Sequence, residues 1–410
     1  MMKLDRLITR QQSGPVIPQQ RNPPPPLCQL PTELLFVVGE TLESEDLQRL
    51  LRVCRIMRPV AEAHLYQHIV ISWFYRHRIT PLLRTLRDRQ DLAAMVRSFQ
   101  GYLTPHFQTS DLSQQDLGRN GISIEEQISN FGALMDEVLH SMRNLRKLSV
   151  YDLALSMPSE SVRLLRNVAQ KVSLTYLGTG NPDDGLYFQA QREETPVAHE
   201  ILFFLRQQPL LQHLTLSQNH QSLAGQHLLA SDIPCLRSIR GMASDIAEIV
   251  PGRPVTTLDV CEIESKPTTE LWAKLYTSTA PISKITLRIV HKDQLERNLK
   301  GMVEHLTQLR SLTLIGVRGD EDYAITSANV RLFANLRDLT INLTYASRLP
   351  EFDVWDDLHA SCPNLEWVSI TRECAYYPSC CLITCDSELL TSITDLSTIC
   401  GAVAESELAP

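Results

Sequence analysis

The sequence predicts an α/β protein in which a short trihelical segment precedes a solenoid of strand–turn–helix repeats with a parallel sheet on its concave face. The first observation is a pattern, apolar-x-x-apolar-x-apolar, that recurs between residues 145 and 370. Its copies at Ile282, Leu309 and Leu336 are 27 residues apart (282 to 309 and 309 to 336), and such a fixed period is typical of solenoids. The second observation is apolar residues at helical spacing in residues 30–69.

Each copy of the pattern predicts one strand, and neighbouring copies would bury one continuous core. The copy at Ala169 is weaker than the others, and those at Leu236 and Val255 are imperfect. The apolar positions are Leu145/Leu148/Val150, Ala169/Val172/Leu174, Leu211/Leu214/Leu216, Leu236/Ile239, Val255/Leu258/Val260, Ile282/Ile285/Leu287, Leu309/Leu312/Leu314, Leu336/Leu339/Ile341 and Leu365/Val368/Ile370. Helices are predicted over 124–141, 198–207, 268–278, 292–306, 329–333 and 353–359, and a strand over 95–99.

The segment 30–69 divides into three helical pieces. Pro31 and Glu33 suit a first helical turn, where a missing N–H costs nothing and negative charge meets the helix dipole. Ser44 offers a cap for the second helix, and the third runs over about 57–67. Some forty residues are too few to bury all of this apolar surface, so the segment must lean on its own chain or on a partner.

The order of residues in this segment resembles an F-box, the trihelical motif that docks on the Skp-type linker of SCF ubiquitin ligases. One departure is Met57, where many members carry Trp. The residues that carry the resemblance are Leu30, Pro31, Glu33, Leu34, Leu35, Asp46, Leu47, Leu50, Val53, Cys54, Arg55 and Arg58. The repeats resemble the leucine-rich repeats of F-box proteins in a degenerate form, since only Asn219 occupies the position where such repeats often place Asn.

The resemblance implies a substrate-recognition subunit that is not an enzyme and needs no cofactor or metal. Its partners would be the Skp-type linker, a cullin reached through that linker, and an unknown target protein bound by the repeats. The residues expected to dock on the linker are Leu30, Pro31, Leu34, Leu35, Leu47, Leu50 and Val53.

The strand residues between the leucines predict a polar column on the concave face, because side chains alternate between the two faces of a strand. The candidate target-facing residues are Ser149, Thr215, Thr286, Arg288, Thr313, Thr340 and Trp367; Arg240, Asp259 and Ser369 share the column, with Lys147, His213 and Lys284 beside it. This column would accept a polar or phosphorylated segment. Alternatively, Ser and Thr are simply favourable exposed strand residues, and Trp367 is buried in the last repeat.

Composition shifts define the predicted boundaries. A cap helix around 389–396 would close the apolar end of the solenoid. The predicted regions are a disordered Pro/Gln-rich leader at 1–29, the F-box at 30–70, the repeats at 71–385 with polar excursions near 104–122 and 178–197, and the cap and tail at 386–410.

Charge and hydropathy exclude several classes of function. The net charge is −8, and the basic residues are scattered along the sequence, which argues against nucleic-acid binding. No apolar run approaches the ~18 residues of a membrane span. Because the chain opens without a secretory signal, we expect a cytoplasmic or nuclear protein with reduced cysteines.

Two metal-site hypotheses carry little weight. Cys374, Cys380, Cys381 and Cys385 lack the paired Cys-x-x-Cys spacing of structural zinc sites, so buried thiols are expected instead. His64 and His68 are four residues apart, a ligand spacing on a helix, but the Glu of H-E-x-x-H is missing.

Two alternatives keep the repeat fold and change the function. In one, the chain is an interaction scaffold unlinked to ubiquitination, and the first helices only cap the solenoid. Exposure of Leu30, Pro31 and Leu47 would favour docking, whereas their burial would favour a cap. In the other, the concave face holds an unrecognised active site, which would require a deep pocket with clustered ionisable groups.

Overall fold

The computed structural model describes residues 30–53, 55–71, 79–102, 124–151, 172–179, 197–216, 223, 228–261, 268–288, 292–318, 328–344, 362, 364–373 and 382–386. The chain divides into two compact units, Met1–Leu65 and Tyr66–Pro410, called unit 1 and unit 2 below. Among the helices in the described ranges, none combines the length and the apolar character required to span a bilayer.

Three helices account for the described part of unit 1. Their bounds are α1 Thr32–Glu40, α2 Ser44–Val53 and α3 Arg58–Gln67, the last ending just inside unit 2. Leu35, Met57 and Val60 form a small buried cluster, and the half-buried Leu50 packs against it. The Pro31 carbonyl accepts hydrogen bonds from the amides of Leu34 and Leu35, which starts α1.

Helices α1 and α3 approach each other closely at Gly39. A Cβ atom on Gly39 would lie 2.5 Å from His64 Cδ2 and 2.9 Å from Val60 Cγ1. His64 Nε2 is 3.1 Å from the Phe36 carbonyl oxygen, and the two rings are 5.7 Å apart. A side chain at position 39 would therefore separate the two helices.

Unit 2 is built on one sheet, in which the strands follow sequence order from β1 to β12. All neighbouring pairs up to β11 are parallel, and β12 is antiparallel to β11. The strands are β1 His68–Val70, β2 Ser98–Tyr102, β3 Lys147–Tyr151, β4 Tyr176–Gly178, β5 His213–Thr215, β6 Ser238–Gly241, β7 Thr257–Val260, β8 Lys284–Arg288, β9 Ser311–Arg318, β10 Asp338–Thr344, β11 Trp367–Glu373 and β12 Leu382–Asp386. The predicted α/β repeat fold with a parallel sheet is confirmed.

Helices between the strands complete the repeats. Their bounds are α4 Ile79–Asp88, α5 Gln90–Met95, α6 Ile124–Ser141, α7 Val197–Arg206, α8 Ala243–Ile249, α9 Thr268–Leu275 and α10 Lys292–His305. The apolar strand residues and the inward residues of these helices form one contiguous core from Ile69 to Val368. The largest fully buried side chain is Trp272 on α9. Stacking thus buries apolar surface that no single repeat could bury alone.

Asparagine side chains link neighbouring repeats just before three of the strands. Each donates from Nδ2 to a backbone carbonyl of the preceding repeat. The bonds join Asn144 to Ala94, Asn335 to Thr307 and Asn364 to Ala334, at 2.8, 2.8 and 2.7 Å. These residues directly precede the first leucine of the pattern, whereas Asn219, the position predicted from leucine-rich repeats, lies outside the described residues.

The predicted copy at Ala169 is in the wrong frame. The strand is Tyr176–Gly178, so Leu174 begins the apolar pattern instead of ending it, and Leu177 is its second buried position. Thr179 takes the third position and is buried, where its hydroxyl donates to the Thr215 carbonyl at 3.3 Å. Leu174 fits both frames of the pattern. Because the third residue of the observed frame, Thr179, is polar, the sequence alone favoured the wrong frame.

Other elements also differ from the prediction. The strand expected at 95–99 begins only at Ser98, because α5 runs to Met95. The helix expected at 329–333 is helical at 328–330 and continues as a turn at 331–332. β1, α8 and β12 were not predicted. The expected helix at 353–359, the excursion at 104–122, most of the excursion at 178–197 and the cap at 389–396 lie outside the described residues.

Candidate functional site

Unit 1 exposes an apolar stripe along α1. Leu30, Leu34 and Val37 are 36%, 50% and 56% exposed. Leu34 and Val37 are three residues apart on α1, which places their side chains on one side of the helix, and Leu30 lies two residues before the helix begins. Ile56, between α2 and α3, is also about half exposed. These apolar side chains are available to a partner.

The seven predicted docking residues differ in their exposure. Leu30, Pro31 and Leu34 are exposed, whereas Leu35 and Leu47 are 2% and 5% exposed. Leu50 is half-buried against the small cluster, and the side chain of Val53 lies outside the described set. By the exposure criterion, Leu30 and Pro31 favour docking because they are at the surface, whereas Leu47 favours a cap because it is buried.

In unit 2, alternate strand residues face away from the core and form what we call the open face. Its central row continues from β2 to β11 because neighbouring strands are in register. The row consists of Gln100, Ser149, Gly178, Thr215, Arg240, Asp259, Thr286, Thr313, Thr340 and Ser369. The predicted column is thus one structural row, although Ser149 and Ser369 at its ends are largely buried.

An Arg–Asp–Arg cluster occupies the middle of the open face. Asp259 Oδ2 is 3.4 Å from Arg240 Nε, and its Oδ1 is 3.9 Å from Arg288 Nε. Burial raises the pKa of Asp259, while the two guanidinium groups oppose that shift. Burial lowers the pKa of Arg240, but Asp259 and Cys261 together raise it by more. The pKa of Arg240 therefore lies above its ordinary value. The carboxylate holds both cations at this position.

A second row of the open face carries Lys147, Tyr176, His213 and Ser238 in register. The Tyr176 and His213 rings are 6.4 Å apart, and Tyr176 Oη is 3.4 Å from Thr215 Oγ1. A Cβ atom on Gly178 would lie only 3.2 Å from Tyr176 Oη, so the glycine leaves room for the tyrosine hydroxyl. Burial lowers the pKa of His213, and the nearby charges of Lys147 and Arg237 lower it further.

The remaining predicted site residues lie apart from these clusters. Trp367, at the start of β11, is 37% exposed, and its register partner on β10 is Asp338. Tyr176 and Arg237 were not among the site residues predicted from the sequence. Tyr176 was missed because the frame of its repeat was wrong; Arg237 directly follows a pattern leucine, a position that was not considered.

The metal hypotheses find no support in the described ranges. No group of three His, Cys, Asp or Glu residues there is arranged to hold a metal ion. His64 and His68 do not share a helix, because α3 ends at Gln67 and His68 begins β1. The side chains of the four cysteines between 374 and 385 lie outside the described set.

The fold and these surfaces define an α/β repeat protein with an exposed apolar helix stripe and a polar, charged sheet face. No protein-family model matches the chain, and no curated protein matches it. Among solved structures, it is similar to a chain in the crystal structure of the Rad7 and Elc1 complex in yeast. That similarity has a TM-score of 0.31 and 11% identity, over 83% of this chain and 92% of that chain.

Proposed function

We propose that this chain is the substrate-recognition subunit of an SCF-type ubiquitin ligase. Unit 1 is the F-box and docks on the Skp-type linker, which joins it to a cullin. The open face of unit 2 binds the target protein. The observation that carries this proposal is the exposed stripe Leu30, Leu34 and Val37, on a sequence segment that resembles an F-box.

The size of the stripe makes docking energetically reasonable. Burying a fully exposed Leu or Val side chain contributes about 1.5–3 kcal/mol, and each of these three has a third or more of its surface available. Exposed apolar clusters of this kind commonly mark protein–protein contacts. The buried Leu35 and Leu47 then support the stripe from within unit 1 and do not touch the linker.

The chain itself performs no chemistry in this proposal. Other subunits transfer ubiquitin, and this chain raises the effective concentration of the target near them. The in-register row of Thr215, Thr286, Thr313 and Thr340 offers hydroxyls along the face that meets the target.

The test is co-purification of the chain with a Skp-type linker. We compare the parent with a Leu34→Ala/Val37→Ala variant, and with a Leu210→Ala/Leu332→Ala control that removes two equally exposed leucines from unit 2. The parent and the control should retain the linker, while the stripe variant should lose at least tenfold in binding. All three should give the same circular dichroism spectrum.

A repeat scaffold unlinked to ubiquitination is the second candidate. The burial of Leu47, one of the residues expected at the docking surface, favours it. Failure of the parent to bind the linker, or equal loss in the stripe variant and the control, would replace the ligase proposal with this one.

A further inference from the structure

The fold gathers arginines that are far apart in the sequence. The residues directly before strands β2 to β11 form a row, called the leading row, joined by backbone N–H to carbonyl hydrogen bonds of 2.7–2.9 Å. Its members are Arg97, Arg146, Thr175, Gln212, Arg237, Thr256, Ser283, Arg310, Arg337 and Glu366. The five arginines are exposed, and Glu366 is the single acid among these ten residues.

The leading row and the open face together concentrate positive charge between β3 and β6. Lys147, His213 and Arg237 lie there with Tyr176, and we call these four residues the basic patch. The charges of Lys147 and Arg237 both reach the His213 imidazole. In the described part of the chain, no ion pair involves Lys147, His213 or Arg237, whereas Arg240, three residues after Arg237 and on β6, is paired with Asp259.

Cations gathered without counter-charges repel each other, and that repulsion is relieved when an anion binds. Some other cations of unit 2 are paired with acids, as in the pair Lys274–Glu248 at 3.1 Å. The basic patch also stands out in a chain of net charge −8. Its chemistry is complementary to a phosphoryl or carboxylate group, with Tyr176 and His213 offering ring faces and N–H or O–H donors beside the cations.

We propose that the basic patch binds an anionic side chain, phosphorylated or carboxylate, within an extended segment of the target protein. This inference rests on the proposed function, because it assigns the anion to the target. Parallel strands are spaced by about 4.8 Å, so the patch spans roughly 14 Å from β3 to β6, the length of about four extended residues. A short linear segment with one or two anionic residues fits that span.

A nucleic acid fits the patch less well. Affinity for nucleic acid that comes from phosphate neutralisation grows with the number of phosphates contacted, about 6–10 in strongly salt-dependent examples, whereas the patch offers two cations and one imidazole. The overall negative charge also opposes approach of a polyanion. A peptide with a local negative charge meets the patch without placing further phosphates against the acidic remainder of the chain.

The experiment measures binding of ten-residue Gly/Ser peptides that carry phosphoserine, glutamate or glutamine at two central positions. A ten-nucleotide oligothymidine is the fourth probe. The protein is the full chain as the parent, a Lys147→Gln/Arg237→Gln variant, and a Lys284→Gln/Arg310→Gln control. The control removes the same charges from equivalent positions of β8 and β9, so it matches the variant in net charge and in place within the repeat.

The parent and the control should bind the phosphoserine or glutamate peptide at least tenfold more tightly than the glutamine peptide. The basic-patch variant should lose that preference. Which anionic peptide binds better distinguishes a phosphorylated from an acidic target segment. Binding should also raise the pKa of His213, measured by NMR, because an anion beside Lys147, Tyr176 and Arg237 stabilises the imidazolium.

The proposal is overturned if no anionic peptide is preferred, if the control loses as much affinity as the variant, or if the oligothymidine binds more tightly than the peptides. Lys147 and Arg237 are exposed, so we expect the basic-patch variant to fold normally and a loss of peptide binding to report on the patch itself. The assay needs no linker. Peptide binding without linker binding would reject the ligase role and retain the anion site, and the opposite result would reject the site alone.

Discussion

The two units differ in how completely they bury their apolar side chains. Unit 1 has a small cluster, Leu35, Met57 and Val60, and exposes Leu34 and Val37 beside it. Unit 2 buries the apolar residues of successive strands in one contiguous core. A trihelical segment of about forty residues cannot cover its own apolar surface, whereas a stacked array covers each repeat with the next. The uncovered side chains of unit 1 are therefore the place to look for a partner, and the polar face of unit 2 for a ligand.

The largest effect should come from the core of unit 2. Trp272→Ala removes its largest fully buried side chain and should lower the free energy of unfolding by about 3–5 kcal/mol, because the surrounding helices cannot close the cavity. Tyr276→Ala, just after the same helix and 69% exposed, is the control and should change little. Urea denaturation followed by circular dichroism measures both. Equal effects would show that α9 is not anchored in the core.

Within unit 1, the buried and exposed positions should separate sharply. Met57→Ala should cost about 2–4 kcal/mol, since Met57 is fully buried in a cluster of three. Leu34→Ala should change stability by less than about 0.5 kcal/mol. Hydrogen exchange should show faster exchange in α1 and α2 of the Met57 variant, with β7 to β10 unchanged. If both variants destabilised α1 equally, the stripe would be structural and not a docking surface.

The asparagine links give unit 2 a set of bonds between repeats. Asn335→Ala should cost about 1 kcal/mol, because it leaves the Thr307 carbonyl without its side-chain donor. Gln308→Ala is the matched control, since Gln308 is exposed and holds the equivalent position, before Leu309, in the preceding repeat. Denaturant midpoints of the two variants give the comparison. Equal midpoints would mean that stacking alone joins the repeats.

Periodicity explains how much of this architecture the sequence could predict. Apolar residues at fixed spacing predicted β8, β9 and β10, and a long apolar stripe predicted α6 over Ile124–Ser141, the bounds that the structure shows. Short elements with mixed composition were not predicted. One example is α8, whose seven residues make two turns and give little periodic pattern. The basic patch escaped for another reason. Lys147 and Arg237 are ninety positions apart (147 to 237), and only the stacking of repeats places such residues near each other on one sheet, at β3 and β6.

Surface ion pairs are where the two units should differ least. Unit 1 carries Arg49–Asp46 at 2.8 Å, and unit 2 carries Arg89–Asp91, whose guanidinium donates two hydrogen bonds of 2.8 and 2.6 Å. Exposed pairs contribute little to stability and are screened by salt. We therefore expect the effect of the second pair to appear in titration more clearly than in unfolding.

Hydrogen bonds from the Arg89 guanidinium lower the pKa of Asp91 from 3.8 to about 2. Because the folded-state pKa is below the unfolded one, the contribution is present above pH 3.8 and disappears as the pH falls to about 2. In an NMR titration, Arg89→Gln should return the pKa of Asp91 toward its ordinary value. Arg87→Gln, which instead removes the neighbouring pair with Asp88, should leave it unchanged. If the low pKa survived in Arg89→Gln, the amides of the first turn of α5 would be its cause, and the guanidinium would be incidental.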